Sequence, residues 1–248
     1  MSKYGTDFSR VVQDVSKRTA REVAPLVVRL VQPKRVVDVG CGLGTWLSAF
    51  SECGVPGVFG IDGDWVDRNS LEIPQDCFMA LDLKKPFQLE DEYDLVVCLE
   101  VAEHLPADCA ATLVGSLTRL GPIVLFSAAI PFQGGVEHVN EQWPGYWACI
   151  FQDKGYVAVD CLRSRLWHND NVEYFYAQNM LLFVNRNCLD RFPELKEEAE
   201  RTDIGQLPLV HPKAYLYAIQ RSSTFRHMLK SLPSAAKKAV LRRLMRKA

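Results

Sequence analysis

The stretch Arg35-Val36-Val37-Asp38-Val39-Gly40-Cys41-Gly42-Leu43-Gly44 decides the fold of this 248-residue chain. Its first half is an apolar run typical of a buried strand, and its second half is a glycine-rich turn after which we expect a helix near Thr45. Glycines let the backbone turn sharply and let a ligand approach the peptide groups without a Cβ in the way. A loop of this kind between a strand and a helix predicts a ligand-binding loop.

Further apolar runs extend this strand into a sheet. Residues 58–61, 77–81, 93–99 and 123–127 are short runs, separated by stretches long enough for helices. Such alternation predicts βαβ units and a mostly parallel sheet. The unbroken apolar runs 95–99 and 123–126 predict strands buried on both faces.

Elements on either side complete the expected fold. Apolar residues at helical spacing predict a helix over 7–31, which ends before Pro33. Beyond the fifth strand we expect a helix over 141–153, a strand over 156–162 and a last strand over 178–184. The fold class is therefore α/β, with a Rossmann-like sheet of seven strands and helices on both faces.

Spacing within the loop indicates which ligand it binds. A dinucleotide fingerprint needs G-x-G-x-x-G, whereas this chain has G-x-G-x-G, preceded by Asp38. Asp62 follows the second strand and Asp82 the third. A carboxylate at the end of the second strand can accept both ribose hydroxyls, and one after the third strand can reach an adenine amino group.

Together these landmarks resemble those of the class I S-adenosylmethionine-dependent methyltransferases. Residues 37–44 resemble the family's first motif, Asp62 its ribose-binding acid, Asp82-Leu83 its adenine-contacting pair, and residues 93–98 its fourth strand. The resemblance covers roughly residues 34–185 and implies an antiparallel last strand and S-adenosylmethionine as the cofactor. It implies these donor-binding residues: Asp38, Gly40, Cys41, Gly42, Gly44, Asp62, Asp82, Leu83 and Glu100.

A second set of polar residues follows the fourth and fifth strands. Glu100, Glu103 and His104 have the i, i+3, i+4 spacing that places side chains on one face of a helical turn, and His138 lies beyond the fifth strand. Two carboxylates and two imidazoles at neighbouring strand ends predict a divalent cation site. The pattern is similar to that of methyltransferases that modify the terminal 2′-hydroxyl of small RNAs and of catechol-methylating enzymes of quinone biosynthesis. The resemblance implies that all four residues bind magnesium or manganese.

Other interpretations of these residues stay open. Glu100 can contact the donor, and mixed histidine and carboxylate ligation suits manganese, iron or zinc as well as magnesium. Without a cation, His138 or His104 becomes the general base that takes the hydroxyl proton. We therefore predict Glu103, His104 and His138 as the catalytic residues in either case.

Aromatic residues follow His138 at helical spacing. Trp143, Trp147 and Phe151 fall at i, i+4 and i+8, which is typical of a helix face packed into the core. They can equally form an acceptor wall, because aromatic faces stack on sugars, catechols or bases. The run His-Val-Asn-Glu-Gln-Trp-Pro over 138–144 also resembles bacterial methyltransferases of surface-glycan synthesis.

Charge divides the chain unevenly. Residues 204–248 hold ten basic and no acidic side chains, which leaves 19 basic against 30 acidic residues in the remainder. The apolar stripe and basic residues of 234–248 predict an amphipathic helix that docks on the acidic body, binds RNA phosphates or lies on an anionic membrane. We expect an N-terminal helical cap over 1–33, a core over 34–203 and a basic extension over 204–248.

Composition and cysteine pattern indicate the compartment. No apolar run approaches a membrane span, and the chain opens without the pattern of a signal peptide. The eight cysteines form no Cys-x-x-Cys pair, so we expect reduced thiols. A cytoplasmic protein is predicted, with peripheral membrane contact through the tail as a further expectation.

These observations predict an O-methyltransferase, assisted by a divalent metal, that acts on a hydroxyl of a sugar, glycan or other small molecule bearing a diol. Catechol or quinone precursors are the first alternative acceptors. An RNA terminal ribose is a less favoured one. From another class, the alternative is a non-catalytic partner protein that binds the donor.

Overall fold

A computed structural model of the chain describes residues 6–231 and Ala236, with side chains described over 13–223 and at Ala236. The chain divides into two compact units with the boundary between Leu209 and Val210. Most of the predicted amphipathic stretch 234–248 lies outside the described residues. Its expected contacts with membrane or RNA therefore stay predictions.

A seven-stranded sheet forms the centre of the first unit. Its strands are β1 Arg35–Val39, β2 Gly57–Asp62, β3 Phe78–Ala80, β4 Leu95–Leu99, β5 Ile123–Ser127, β6 Tyr156–Val159 and β7 Leu181–Asn185. The strand order is β3-β2-β1-β4-β5-β7-β6, and β7 runs antiparallel to both of its neighbours while the other pairs are parallel. The predicted fold class, including the antiparallel last strand, is confirmed.

Eight α-helices occur in the described part of the chain. In the first unit these are α1 Thr6–Val31, α2 Thr45–Glu52, α3 Ala110–Leu120, α4 Pro144–Asp153, α5 Arg163–Leu166, α6 Tyr174–Asn179 and α7 Pro193–Arg201; the second unit contains α8 Pro212–Ser231. No helix among the described residues is both long and apolar enough to cross a membrane.

The two faces of the sheet carry separate apolar cores. Neighbouring residues of a strand point to opposite faces, so Val36 joins the core that includes Phe50 of α2, while Val37 joins the core that includes Leu117 of α3. Every residue of β4 and β5 is buried, as their unbroken apolar sequences predict. Parallel pairing of β1, β4 and β5 brings their carboxyl ends to one edge of the sheet, where ligands of open α/β sheets bind.

Three predicted boundaries of helices and strands differ from the observed ones by three residues, and the others by at most two. The helix expected from 141 begins at Pro144, because proline is favoured at the first helical position. The sixth strand ends at Val159 instead of 162, and the next residue, Asp160, donates its N–H to the Thr202 hydroxyl at 3.0 Å. The last strand begins at Leu181 instead of 178, since residues 178 and 179 end helix α6.

Candidate active site

Three glycines of the first loop adopt left-handed backbone conformations, with φ of 87° at Gly40, 54° at Gly42 and 83° at Gly44. A Cβ at Gly40 would overlap the Val101 side chain, and one at Gly44 would lie 2.9 Å from Ile73. A Cβ at Gly42 would meet nothing within 4 Å. Two of the glycines therefore permit close packing, and the middle one faces open space that a ligand can enter.

Asp62, at the end of β2, holds the same loop. Its carboxylate accepts the Gly42 N–H at 2.7 Å and the Gly63 N–H at 2.6 Å. Burial raises the pKa of Asp62, and these two backbone N–H groups partly offset that rise. Each carboxylate oxygen can accept a second hydrogen bond, so the predicted contact with ribose hydroxyls is compatible with this arrangement.

Asp38 is a buried carboxyl group at the neighbouring strand end. Its Oδ2 atom has no hydrogen-bond partner among the described residues. Burial and the negative charge of Asp62 raise the pKa of Asp38 well above its usual value. A buried polar atom without a partner is costly, which is consistent with a group that a bound ligand completes.

The other predicted donor residues have different surroundings. Asp82 accepts the Lys84 N–H at 3.1 Å in the turn after β3, and Leu83 is buried in the core. The buried thiol of Cys41 contacts the Gly42 carbonyl at 3.5 Å, and burial raises its pKa. Contacts of Asp82, Leu83 and Cys41 with a donor stay predictions.

Helix α1 is tied to the donor loop through a residue that the sequence analysis did not single out. Glu72 accepts hydrogen bonds from Gln13 and Lys17 of α1, at 2.7 and 3.1 Å, and from the Thr45 hydroxyl at 3.2 Å. Thr45 begins the helix that follows the glycine loop. Glu72 therefore joins the predicted N-terminal cap to the loop.

Glu103, His104 and His138 form a cluster at the ends of β4 and β5. Their possible ligand atoms all lie within 4.8 Å of one another, and the two imidazole rings are 4.8 Å apart, edge to face. His138 Nε2 is 4.0 Å from Glu103 Oε1. Three of the four predicted metal ligands are thus brought together, from positions up to 35 residues apart in the sequence.

The Glu103 carboxylate is the least solvated member of this cluster. Its residue is 0% exposed, and neither oxygen has a well-aligned hydrogen-bond partner among the described residues. Burial, followed by the neighbouring Glu100 carboxyl group, raises the pKa of Glu103 well above its usual value, and the nearby backbone N–H groups of Glu103 and Ala129 only partly oppose that rise. For His104, burial and the charge of His138 lower the pKa, against the effect of a hydrogen bond to the Glu137 backbone carbonyl.

Glu100, the fourth predicted metal ligand, lies outside the cluster. Its carboxylate accepts hydrogen bonds from Asn179 Nδ2 and Gln133 Nε2, each at 3.1 Å. Gln178 donates to the side chains of both amide residues, at 2.9 and 3.3 Å. Burial raises the pKa of Glu100, and the hydrogen bonds from Asn179 and Gln133 oppose that rise. We call Glu100, Gln133, Gln178 and Asn179 the amide network.

The aromatic residues after His138 separate into two groups. Trp147 and Phe151 are buried in the core of the first unit, as the core interpretation predicts. Trp143 precedes α4 and is 40% exposed. Exposed apolar residues also occur in the loop between β5 and α4, with Phe132 88% exposed. Trp143 and Phe132, rather than the helix face, are therefore available to an acceptor.

Comparison with known proteins identifies the family. The profile of the family described as "Methyltransferase domain" matches residues 12–155, more than half of the chain. The chain therefore belongs to this family of methyltransferase domains. Among curated protein sequences none matches.

Several solved structures are similar to this chain. Magnesium protoporphyrin IX methyltransferase from Synechocystis, with bound SAH, is 18% identical over 69% of this chain and 84% of its own, with a TM-score of 0.49. The methyltransferase domain of bacterial CtHen1 is 15% identical over 67% and 98% of the two chains, with a TM-score of 0.49. An O-methyltransferase family protein from Burkholderia thailandensis is 16% identical over 67% and 55%, with a TM-score of 0.49.

Fold, loop and family agree on the class of protein. The strand order, the antiparallel β7 and the glycine loop after β1 are those of a class I S-adenosylmethionine-dependent methyltransferase, as the sequence predicts. The chain is therefore an enzyme of that class. Membership of an enzyme family favours a catalytic role over the alternative of a non-catalytic partner protein that binds the donor.

Proposed function

We propose that this methyltransferase transfers the methyl group to a hydroxyl of a sugar or another small molecule bearing a diol, assisted by a divalent cation. One observation carries the proposal: Glu103 is completely buried, has no well-aligned hydrogen-bond partner among the described residues, and lies beside two imidazoles. A buried carboxylate of this kind is costly unless it binds a proton or a cation. The neighbouring imidazoles are neutral nitrogen ligands that a cation can share.

The cluster fits such a cation in donor type and spacing. The 4.0 Å between His138 Nε2 and Glu103 Oε1 is just below the roughly 4.2 Å that two ligands at about 2.1 Å from one ion can span, so the side chains would move closer together to hold it. Two nitrogens and one carboxylate suit manganese, and magnesium less well. Glu103, His104 and His138 would hold the ion, which when bound lowers the pKa of a coordinated hydroxyl.

Three protein ligands leave coordination positions for the acceptor. An octahedral ion takes six ligands, and adjacent hydroxyl groups can occupy two of the free positions. Glu100 is engaged by Asn179 and Gln133, so in this proposal it supports the cluster from the amide network instead of binding the ion. The vicinal diol is the acceptor feature that follows from this count.

The reaction is an in-line displacement. The acceptor oxygen forms a bond to the methyl carbon as the bond from that carbon to the donor sulfur breaks, and S-adenosylhomocysteine leaves. With a cation bound, both imidazoles would be ligands, and the proton of the coordinated hydroxyl would leave to water. Without a cation, His104 or His138 would take that proton, and burial lowers the pKa of His104, which favours its neutral ring.

Calorimetric titration of the chelator-treated full chain tests the proposal. Magnesium and manganese are each added with and without S-adenosylmethionine to wild type, Glu103→Gln and His138→Ala. His168→Ala is the matched control, because His168 is an exposed histidine outside the cluster. Saturable binding that only the two cluster variants lose supports the cation site. No metal binding by wild type, with donor binding intact, overturns it and leaves histidine base catalysis.

Acceptor screening then tests the substrate class. Compounds with a vicinal diol are compared with the same compounds in which one hydroxyl is replaced by hydrogen, in the presence of the metal that binds. Turnover of sugar diols supports the proposal. Preference for catechols, or for RNA with a terminal ribose over RNA ending in a deoxyribose, would contradict the sugar acceptor and support one of the two alternatives.

A further inference from the structure

Glu141 contacts the outer nitrogen of the His138 ring. Its Oε1 atom is 3.0 Å from His138 Nδ1, so the carboxylate and the cluster lie on opposite sides of the imidazole. The same carboxylate accepts the backbone N–H groups of Phe132 and Gly134, each at 2.8 Å. The Glu141 side chain therefore binds both the His138 ring and two backbone N–H groups of the loop between β5 and α4.

The hydrogen-bond chemistry determines which imidazole nitrogen carries the proton. An ionised carboxylate can only accept hydrogen bonds, and the backbone groups of Phe132 and Gly134 can only donate them. The contact with His138 is therefore an N–H bond from Nδ1 to Glu141. In the neutral ring, Nε2 then has the lone pair, and it is Nε2 that lies 4.0 Å from Glu103.

The fastened loop is under backbone strain. Phe132 and Glu137 have φ values of 69° and 60°, which are unfavourable for residues with a Cβ. Such conformations are strained and persist only where the surroundings hold them. Glu141 accepts the N–H of Phe132 itself, so it supplies part of that restraint.

We infer that Glu141 is the positioning residue of this active site: it fixes His138 in the tautomer that presents the Nε2 lone pair to the cluster. The inference rests on the proposed function for what that lone pair does. A cation at the cluster needs it as a ligand, and a hydroxyl proton needs it as an acceptor. Both routes require the same tautomer, and carboxylate partners of this kind orient metal-binding histidines.

A glutamine at 141 breaks this arrangement with little change in size. Its amide has one acceptor oxygen instead of two, so the loop N–H groups and the imidazole compete for it. The amide nitrogen can donate to His138 Nδ1 and thereby favour the opposite tautomer. Glu137→Gln is the matched control, since it removes an equal charge from the same loop without removing the Nδ1 partner.

The experiment is a long-range nitrogen-proton NMR spectrum of the histidine rings in the metal-free full chain, with His138 assigned by its absence from the spectrum of His138→Gln. We expect the Nδ1–H tautomer in wild type and Glu137→Gln, and loss of that preference in Glu141→Gln. Manganese affinity by calorimetry should fall about 10–100-fold in Glu141→Gln and by less in Glu137→Gln, whose charge acts on His104 but not on His138 Nδ1.

Two results would overturn the inference. One is an Nε2–H tautomer of His138 in wild type, which decides the question even where Glu141→Gln does not fold. The other is a folded Glu141→Gln variant with the wild-type tautomer. Failure of the cation proposal is distinguishable, because wild type would then bind no metal while its tautomer still answers the question about Glu141.

Discussion

Glu100 and Glu103 lie three residues apart after β4, yet their surroundings are opposite. Glu100 accepts hydrogen bonds from Asn179 and Gln133, whereas Glu103 is completely buried and has no well-aligned partner among the described residues. Leaving a buried polar group unpaired costs about 1–3 kcal/mol. We conclude that the amide network around Glu100 is structural. The Glu103 carboxylate, in contrast, is the group that a proton or a ligand would stabilise.

The largest expected effect separates these carboxylates by activity. Glu103→Met should lower kcat/KM for methyl transfer by at least about 100-fold, the scale of a lost acid-base or metal-binding group. Donor affinity, measured by calorimetry with S-adenosylmethionine, should stay within about twofold. Wild-type turnover by a folded Glu103→Met variant would contradict a functional role for Glu103.

The two substitutions should change the free energy of unfolding in opposite directions. Glu100→Met leaves the amide donors of Asn179 and Gln133 without an acceptor, and should lower the free energy of unfolding by about 1–3 kcal/mol. Glu103→Met removes an unsatisfied carboxyl group and should raise the metal-free value by about 1 kcal/mol. Urea unfolding of both variants measures these changes. Changes of the same sign would break the comparison.

The pH dependence of stability tests the same idea at Asp38, a second buried carboxyl group with an oxygen that has no hydrogen-bond partner among the described residues. The folded protein holds its proton more tightly than the unfolded chain, since its pKa is raised by burial and by Asp62. Its contribution to stability is therefore full below the unfolded pKa of about 3.9 and is lost as the pH rises through the raised value.

As the pH rises above about 3.9, donor-free wild type should therefore lose more stability than Asp38→Asn. Urea unfolding at a series of pH values measures this, and S-adenosylmethionine titration shows whether the variant still binds the donor. Parallel pH profiles for the two proteins would contradict the assignment of Asp38 as an unsatisfied carboxyl group.

The smallest expected effect concerns the packing of the cluster. A Cβ at Gly135 would overlap the His138 ring, whose other side Glu141 holds. Gly135→Ala should therefore displace the imidazole and weaken manganese binding several-fold. Gly145→Ala is the control, because a Cβ there would meet no atom closer than 4.0 Å. Equal affinities of these two variants would contradict the predicted displacement.

Local sequence pattern was sufficient for the sheet and the donor loop. Strands β1, β4 and β5 are apolar runs bounded by turn residues, and the glycine spacing after β1 is a local signal. The amide network was not predicted because its contacts are distant in sequence: Asn179 lies 79 residues from Glu100. The polar residues 178 and 179 were therefore assigned to a strand, and Glu100 to the metal.

Glu141 was missed for a related reason. Three residues before a proline, it fits the start of a helix, and only the folded loop shows that its carboxylate binds backbone N–H groups of Phe132 and Gly134. Hydrogen bonds from side chains to backbone depend on loop conformation, which a single sequence does not specify. His138, in contrast, was predicted because it follows a strand at the edge where ligands bind.

The loop from Phe132 to Glu141 contains both the imidazole and the carboxylate that orients it, together with the backbone groups that the carboxylate holds. The orientation of His138 is therefore encoded within about ten consecutive residues, whereas Glu103 and His104 reach the same cluster from the end of β4. Such a segment can be exchanged as one short piece without separating the imidazole from the carboxylate that orients it.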